Sequence, residues 1–211
     1  MAEFLEKEKI KKLVNCVILA NHAGGALDAV IAAAVLQHAD NVTVLVNEIL
    51  KNLFPKIIDS VFVNVFGKKN LNLNKKIGAA VQKKYPFIIF PGGLVRNEEK
   101  NWPEKLFQFL KKNPELSIIF CSTRGFKIFE PLKTTIKIFD FLHENLQKIG
   151  INSPHVQKSI TTLFLGGNAA KNIEKKISVN IKFGKIEIDK IDSVDQLLEK
   201  FQEFQKFHDN Y

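Results

Sequence analysis

Residues 14–28 of the chain read VNCVILANHAGGALD. Their first part, 14–20, is a short apolar run of the kind that is typical of a buried β-strand. The segment 27–38 is rich in Ala, Val and Ile, and it predicts a buried helix. Between the two lies a turn that carries a histidine, two glycines and an aspartate. The stretch therefore predicts a strand, a turn and a helix in that order.

The same alternation of short apolar strands and helices continues along the chain. Further strands are predicted over 42–46, 61–66, 87–90, 117–121 and 177–183, and further helices over 48–54, 70–84, 103–112, 132–149 and 193–208. This pattern favours an α/β fold: a single-domain sandwich with a mainly parallel mixed sheet flanked by helices. Because no repeat, linker or low-complexity segment interrupts it, we expect residues 1–211 to form one domain.

The composition is that of a soluble globular protein, with 45% hydrophobic and 25% charged residues. Cys16 and Cys121 both lie in apolar runs and are expected to be buried, reduced thiols. No cluster of Cys and His has metal-ligand spacing, so we expect no metal. The N-terminal segment 1–12 is charged and unlike a secretory signal, and no apolar window of about 20 residues would span a bilayer. We therefore expect a cytoplasmic protein.

The net charge of +9 comes almost entirely from lysine, and the only arginines are Arg96 and Arg124. An excess of lysine is compatible with nucleic acid, an anionic membrane surface or simple solubility. Base composition accounts for much of it, since Asn, Lys, Ile and Phe are all abundant. The two arginines are of more interest because a guanidinium recognises phosphate or carboxylate in a way that lysine does not.

His22 and Asp28 are the best candidates for chemistry. If the turn at 21–28 enters a helix, the carboxylate can fold back onto the imidazole, fix its tautomer and make the other ring nitrogen a better base. Gly24 and Gly25 would allow a close approach of substrate to the backbone. The plainer alternatives are a histidine that caps a strand end, and an aspartate that offsets the dipole at the start of a helix.

A second special turn follows the strand at 87–90, where residues 90–96 read FPGGLVR. Free N–H groups in a glycine-rich turn can hold an oxyanion or a phosphate. Arg96 would add a bidentate contact. Taken alone, the segment is also compatible with an ordinary turn.

Four blocks of residues, in order, carry a family resemblance. They are 21–28 (NHAGGALD), 46–50 with 62–65 (VNEIL and FVNV), 90–96 (FPGGLVR) and 179–185 (VNIKFGK). Together they resemble the lysophospholipid and glycerol-phosphate acyltransferase family, in particular its hemolysin-like branch, over about residues 14–205. The first block looks like that family's His and Asp active-site block. The last resembles the strand and Phe-Gly-Lys turn that close the domain. Leu94 stands where the family usually has a glutamate.

The resemblance implies an acyltransferase-like fold and O-acyl transfer in lipid biosynthesis. The acyl donor would be a thioester of coenzyme A or acyl carrier protein, with no bound cofactor. The acceptor would be a hydroxyl of a lysolipid or a glycerol-phosphate-like molecule. His22 would deprotonate that hydroxyl, Asp28 would orient His22, and the alkoxide would attack the thioester directly. The substrate-binding residues would be Asn21, Gly24, Gly25, Asn47, Pro91, Gly92, Gly93, Arg96 and Arg124.

Two other interpretations stay open at this point. One is a non-catalytic protein that binds lipid or an acyl carrier on the same fold. The other is a nucleic-acid or nucleotide binder, although arginine clusters and aromatic stacking motifs are missing from the sequence, so we expect no nucleic-acid partner. We expect any membrane contact to be peripheral, on the anionic inner face, since 18 Phe and many Lys suit an interfacial surface. Five of these side chains suit the core equally well: Phe107, Phe109, Phe201, Phe204 and Phe207.

Overall fold

The computed structural model describes residues 3–5, 13–22, 29–47, 59–63, 73–92, 101–124 and 180–209. Seven strands lie in these ranges: β1 (Glu3–Leu5), β2 (Cys16–Ala20), β3 (Thr43–Asn47), β4 (Asp59–Val63), β5 (Phe87–Ile89), β6 (Ser117–Arg124) and β7 (Asn180–Ile186). Four α-helices accompany them: α1 (Ala29–Leu36), α2 (Leu73–Gln82), α3 (Glu104–Lys112) and α4 (Val194–Asp209). A 3-10 turn over Ile188–Lys190 joins β7 to α4.

The described strands form one sheet in the order β1-β7-β6-β2-β5-β3-β4. Strands β6, β2, β5, β3 and β4 are parallel, whereas β7 pairs antiparallel with both β6 and β1. The sheet is therefore mixed and mainly parallel, as the sequence predicts. Because parallel neighbours need a crossover, the helices between them run back from the carboxyl edge of the sheet to the amino edge.

Strand β2 lies in the middle of the sheet and is buried on both faces. Val17 and Leu19 belong to a cluster that also includes Phe120 and Phe201, under α3 and α4. Ile18 and its neighbours on the other face pack in a second cluster with α1. Two apolar faces require an uninterrupted apolar run, which explains the sequence CVILA over 16–20.

Aromatic packing holds α4 on the sheet. The rings of Phe120 and Phe201 are T-shaped, with centroids 5.1 Å apart, and Trp102 lies 5.1 Å from Phe201. Phe107 and Phe204 are buried as well. Phe207, in contrast, is 43% exposed near the end of α4. Most of the described phenylalanines singled out by the sequence therefore belong to the core.

Most predicted elements are found within a few residues of their expected ends. Ser193 caps the start of α4, since its hydroxyl accepts a 3.2 Å hydrogen bond from the Gln196 N–H. The expected turn in the last block is wrong, because residues 183–185 lie inside β7, where Gly184 pairs with Phe120. The helices predicted over 48–54 and 132–149 lie outside the described residues.

Asn15 connects three segments at the amino edge of the sheet. It adopts a left-handed conformation with φ of 48° just before β2. Its N–H donates to the Lys84 carbonyl at 2.8 Å, and its Nδ2 donates to the Glu115 carbonyl at 3.0 Å. Its own carbonyl accepts from the Ser117 N–H at 3.1 Å. These bonds fix the starts of β2, β5 and β6 relative to one another.

Both cysteines are free and buried, as expected. In the part of the chain that the structure describes, no helix is both long and apolar enough to cross a lipid bilayer.

Candidate functional site

The predicted site residues of the described part all lie at the carboxyl edge of the parallel strands. Asn21 and His22 follow β2, Pro91 and Gly92 follow β5, and Asn47 and Arg124 are the last residues of β3 and β6. Strands β6, β2, β5 and β3 are consecutive neighbours in the sheet. The fold thus brings together residues that are up to about one hundred positions apart in sequence, at the edge where ligands of such sheets bind.

Asn21 is fully buried at the end of β2. Its backbone N–H donates to the Cys121 carbonyl at 3.3 Å, which is a regular rung between β2 and β6. Its side-chain Oδ1 accepts from the Thr123 N–H at 2.8 Å and from the Thr123 hydroxyl at 3.2 Å. Its Nδ2 donates to the Thr123 carbonyl at 3.2 Å. The side chain therefore bonds to the penultimate residue of the neighbouring strand β6 through both its donor and its acceptor atoms.

His22, the next residue, is partly exposed. Its ring lies against the ring of Phe90, with a centroid separation of 4.8 Å and an angle of 38° between the planes. A partly exposed imidazole at this edge of the sheet can accept a proton from a substrate. This contact also joins the 21–28 and 90–96 blocks, since Phe90 opens the second one.

Phe90 is a residue whose role the sequence does not reveal. In the sequence it is simply the first residue of a Phe-Pro-Gly turn. The register pairs Leu19 of β2 with Ile89 of β5. The two strands therefore end side by side, and His22 follows one of them while Phe90 follows the other. Apolar periodicity gives neither the strand order nor the register, and both are needed to predict the contact.

Pro91 is buried and Gly92 is partly exposed, directly after Phe90. Arg124 ends β6, opposite Asn180 of β7, and its Nε atom is buried although the residue as a whole is partly exposed. Ala20 of β2 pairs with Cys121 of β6. Arg124, three residues further along β6, therefore lies near His22, which is two residues past Ala20. A guanidinium there suits an anionic group on a substrate bound beside His22.

Asp28, Gly24, Gly25, Gly93 and Arg96 lie outside the described residues, and their parts in the site stay predictions. Within the described ranges, no three His, Cys, Asp or Glu side chains are grouped so that they could hold a metal ion.

A family model described as Acyltransferase matches residues 2–113 of the chain. The chain belongs to the acyltransferase family. The matched segment includes both His22 and Phe90, so the histidine at the sheet edge lies within the family's own region of the chain. Strands β6 and β7, and with them Thr123 and Arg124, lie beyond the acyltransferase match. Neither a curated protein nor a solved structure matches the chain.

Proposed function

We propose that this acyltransferase, as a member of the hemolysin-like branch, moves a fatty acyl group from a thioester to a hydroxyl in lipid biosynthesis. The donor is acyl-coenzyme A or acyl carrier protein, and the acceptor is a lysolipid or a glycerol-phosphate-like molecule. One observation carries the proposal: His22, within the family match, lies at the carboxyl end of the central strand with its ring against Phe90. A general base must reach the proton that it takes, and ligands of such sheets bind at this edge.

In this mechanism a ring nitrogen of His22 takes the proton of the acceptor hydroxyl. The oxygen then attacks the thioester carbonyl carbon, and a C–O bond forms as the carbonyl oxygen gains negative charge. The tetrahedral intermediate collapses, the C–S bond breaks, and the leaving thiolate takes the proton back from the imidazolium. Asp28 holds the imidazole in the reactive tautomer and stabilises the imidazolium. No acyl-enzyme forms.

The remaining sequence candidates supply substrate contacts in this proposal. The turn at 91–93, with Arg96, binds the oxyanion or the acceptor's anionic group. Arg124 approaches the same edge from β6, and Asn47 from β3. Gly24 and Gly25 complete the predicted substrate contacts beside the base, whereas the buried Asn21 side chain bonds to Thr123.

An amphipathic acceptor implies peripheral contact with an anionic membrane. Exposed lysines near the starts of α2 and α3 support it, namely Lys75, Lys76 and Lys105. Both helices leave the carboxyl edge, so these ammonium groups lie on the side of the sheet where His22 is found. Such a surface attracts anionic headgroups, and the attraction weakens with salt. In the cell the protein would act from the cytoplasmic side.

The direct test incubates the protein with acyl-coenzyme A or acyl carrier protein and a panel of lysolipids and glycerol phosphates, and it measures thiol release. We expect thiol release that depends on the acceptor and that is about a thousandfold slower in His22→Ala, since general base catalysis accelerates a reaction by roughly 10²–10⁴-fold. His38→Ala is the matched control. His38 is also partly exposed, but it follows α1 at the opposite edge of the sheet, where its carbonyl accepts from the Leu13 N–H and its own N–H donates to the Val35 carbonyl.

Acceptor-dependent release that is equal in His22→Ala and His38→Ala would refute the role of His22. If the protein binds acyl chains without turnover, the non-catalytic alternative is correct. In that case His22→Ala is expected to leave the binding unchanged.

A further inference from the structure

We infer that Asn21 is a positioning residue whose side-chain amide takes the place of a backbone rung and thereby ends the pairing of β2 with β6 just before His22. The inference rests on the proposed function in so far as it concerns catalysis. It concerns a residue that the sequence places among the substrate contacts, yet the side-chain hydrogen bonds that the structure describes for Asn21 go to Thr123.

The register shows what the side chain replaces. With Ala20 paired to Cys121, a parallel ladder that continued would join the Thr123 N–H to the backbone carbonyl of Asn21. In the same ladder the Thr123 carbonyl would accept from the backbone N–H of the residue two positions after Asn21. In the structure the Thr123 N–H donates instead to Asn21 Oδ1, at 2.8 Å. The Thr123 carbonyl accepts from Asn21 Nδ2, at 3.2 Å.

A side-chain amide can do this, because it carries an acceptor oxygen and a donor nitrogen on one planar group, as a peptide group does. Both groups of Thr123 are thus satisfied in a fully buried position, where an unmet hydrogen bond is costly. Because the side chain replaces the backbone rung, the pairing of β2 with β6 ends one residue before His22. The imidazole can then leave the plane of the sheet and pack against Phe90, on the neighbouring strand.

The ring of His22 is therefore held from two sides. Asn21 fixes its backbone to β6, and Phe90 supports its side chain from β5. A general base must stay within hydrogen-bond reach of the proton that it accepts, and a displacement of about 1 Å can cost about a hundredfold in rate.

Asn15→Ala is the matched control for Asn21→Ala. Asn15 precedes the same strand, and its Nδ2 also donates to a backbone carbonyl next to β6, at 3.0 Å from Glu115. It lies at the opposite edge from His22. Both changes remove a β2 anchor, but only Asn21→Ala removes the one that adjoins the imidazole.

We expect Asn21→Ala to lower kcat at least about tenfold while KM changes less than about threefold, because positioning acts on the reacting geometry. We expect Asn15→Ala to keep the wild-type kcat. The second readout is the NMR signals of the His22 ring protons, which are assigned by their loss in His22→Ala. The Phe90 ring shifts these signals in the wild type, so they should move in Asn21→Ala and stay in place in Asn15→Ala.

The two readouts separate the outcomes. If the wild type transfers no acyl group, the proposed function fails, and the NMR signals alone decide the positioning role. Wild-type kcat together with unmoved His22 signals in Asn21→Ala would overturn the inference. Should Asn21→Ala not fold, the isosteric Asn21→Asp, which keeps the acceptor and loses the donor, takes its place. If neither folds while Asn15→Ala does, Asn21 serves the fold rather than His22, and the inference is contradicted.

Discussion

Lys84 closes helix α2 in the left-handed region, with φ of 57°. Its N–H donates to the Val81 carbonyl at 2.9 Å, and its side chain is exposed. A lysine in this conformation carries a steric cost that glycine does not. We expect Lys84→Gly to raise the free energy of unfolding by about 0.5–1 kcal/mol, as measured by urea denaturation.

Lys83→Gly is the control for this change, since Lys83 is exposed and adjacent to Lys84. In the described ranges the non-glycine residues with positive φ are Asn15 and Lys84, so Lys83 lacks the strained torsion. We expect Lys83→Gly not to raise the free energy of unfolding. An equal effect of the two substitutions would show that the torsion of Lys84 carries no strain.

Burial raises the pKa of the Cys16 thiol from its ordinary value of 9.0 to about 12. Between these values the unfolded chain loses a proton that the folded chain keeps, so the free energy of unfolding falls as the pH rises above 9. One pKa unit corresponds to about 1.4 kcal/mol. We therefore expect the stability advantage of the wild type over Cys16→Ala to shrink by about 1.4 kcal/mol between pH 7 and pH 10.

Urea denaturation of both proteins at the two pH values measures this difference. Other groups that titrate at high pH affect both proteins alike and cancel in the comparison. A stability difference that does not change with pH would mean that the thiol ionises as easily in the folded protein as in the unfolded one.

At the residue scale, the sequence predicts the position of His22 better than its surroundings. A histidine two residues after the apolar run 16–20 must lie near the end of a buried strand, and it does. The Phe90 and Thr123 contacts could not be predicted, because they depend on β5 and β6 flanking β2. Sequence order does not determine that arrangement.

Strand β7 and helix α4 meet at Gly184. A Cβ at this position would lie 2.5 Å from Cε2 of Phe204, which packs against Phe120 and Phe201. The Phe204 ring is buried and has little room to move. We expect Gly184→Ala to destabilise the protein by about 1–3 kcal/mol in thermal or urea unfolding, as overpacking does.

Gly78→Ala is the opposite case, because a Cβ at Gly78 of α2 meets nothing within 4 Å. It should stabilise the helix by up to about 1 kcal/mol. If Gly184→Ala lowers the free energy of unfolding no more than Gly78→Ala does, then the Phe204 ring does not pack against Gly184 as closely as the structure indicates.

Gly184 also explains why an element was misjudged from the sequence. A glycine between Phe183 and Lys185 is typical of a turn, but here it makes room for the Phe204 ring inside a strand. Strand β1 was missed for a related reason. Among the described strands its three residues pair with β7, about 180 positions later, and no local sequence pattern predicts such a distant pairing.

At the scale of the whole molecule, the alternation of apolar strands and helices was sufficient to predict a mainly parallel mixed sheet. The physical reason is that buried parallel strands must be apolar on both faces, and their helices must cover them. The order of the strands was not predictable in this way. That order is what places His22 between β5 and β6, with Phe90 on one side and Arg124 on the other.

The central claim is that the histidine at the carboxyl edge of β2 takes the acceptor's proton during acyl transfer. The most direct measurement is the rate at which the acylated acceptor appears, followed by mass spectrometry, for wild type, His22→Ala and His38→Ala at equal protein concentration. We predict that His38→Ala matches the wild type and that His22→Ala forms the ester about a thousandfold more slowly with its fold intact. Ester formation at the wild-type rate in His22→Ala would contradict the account.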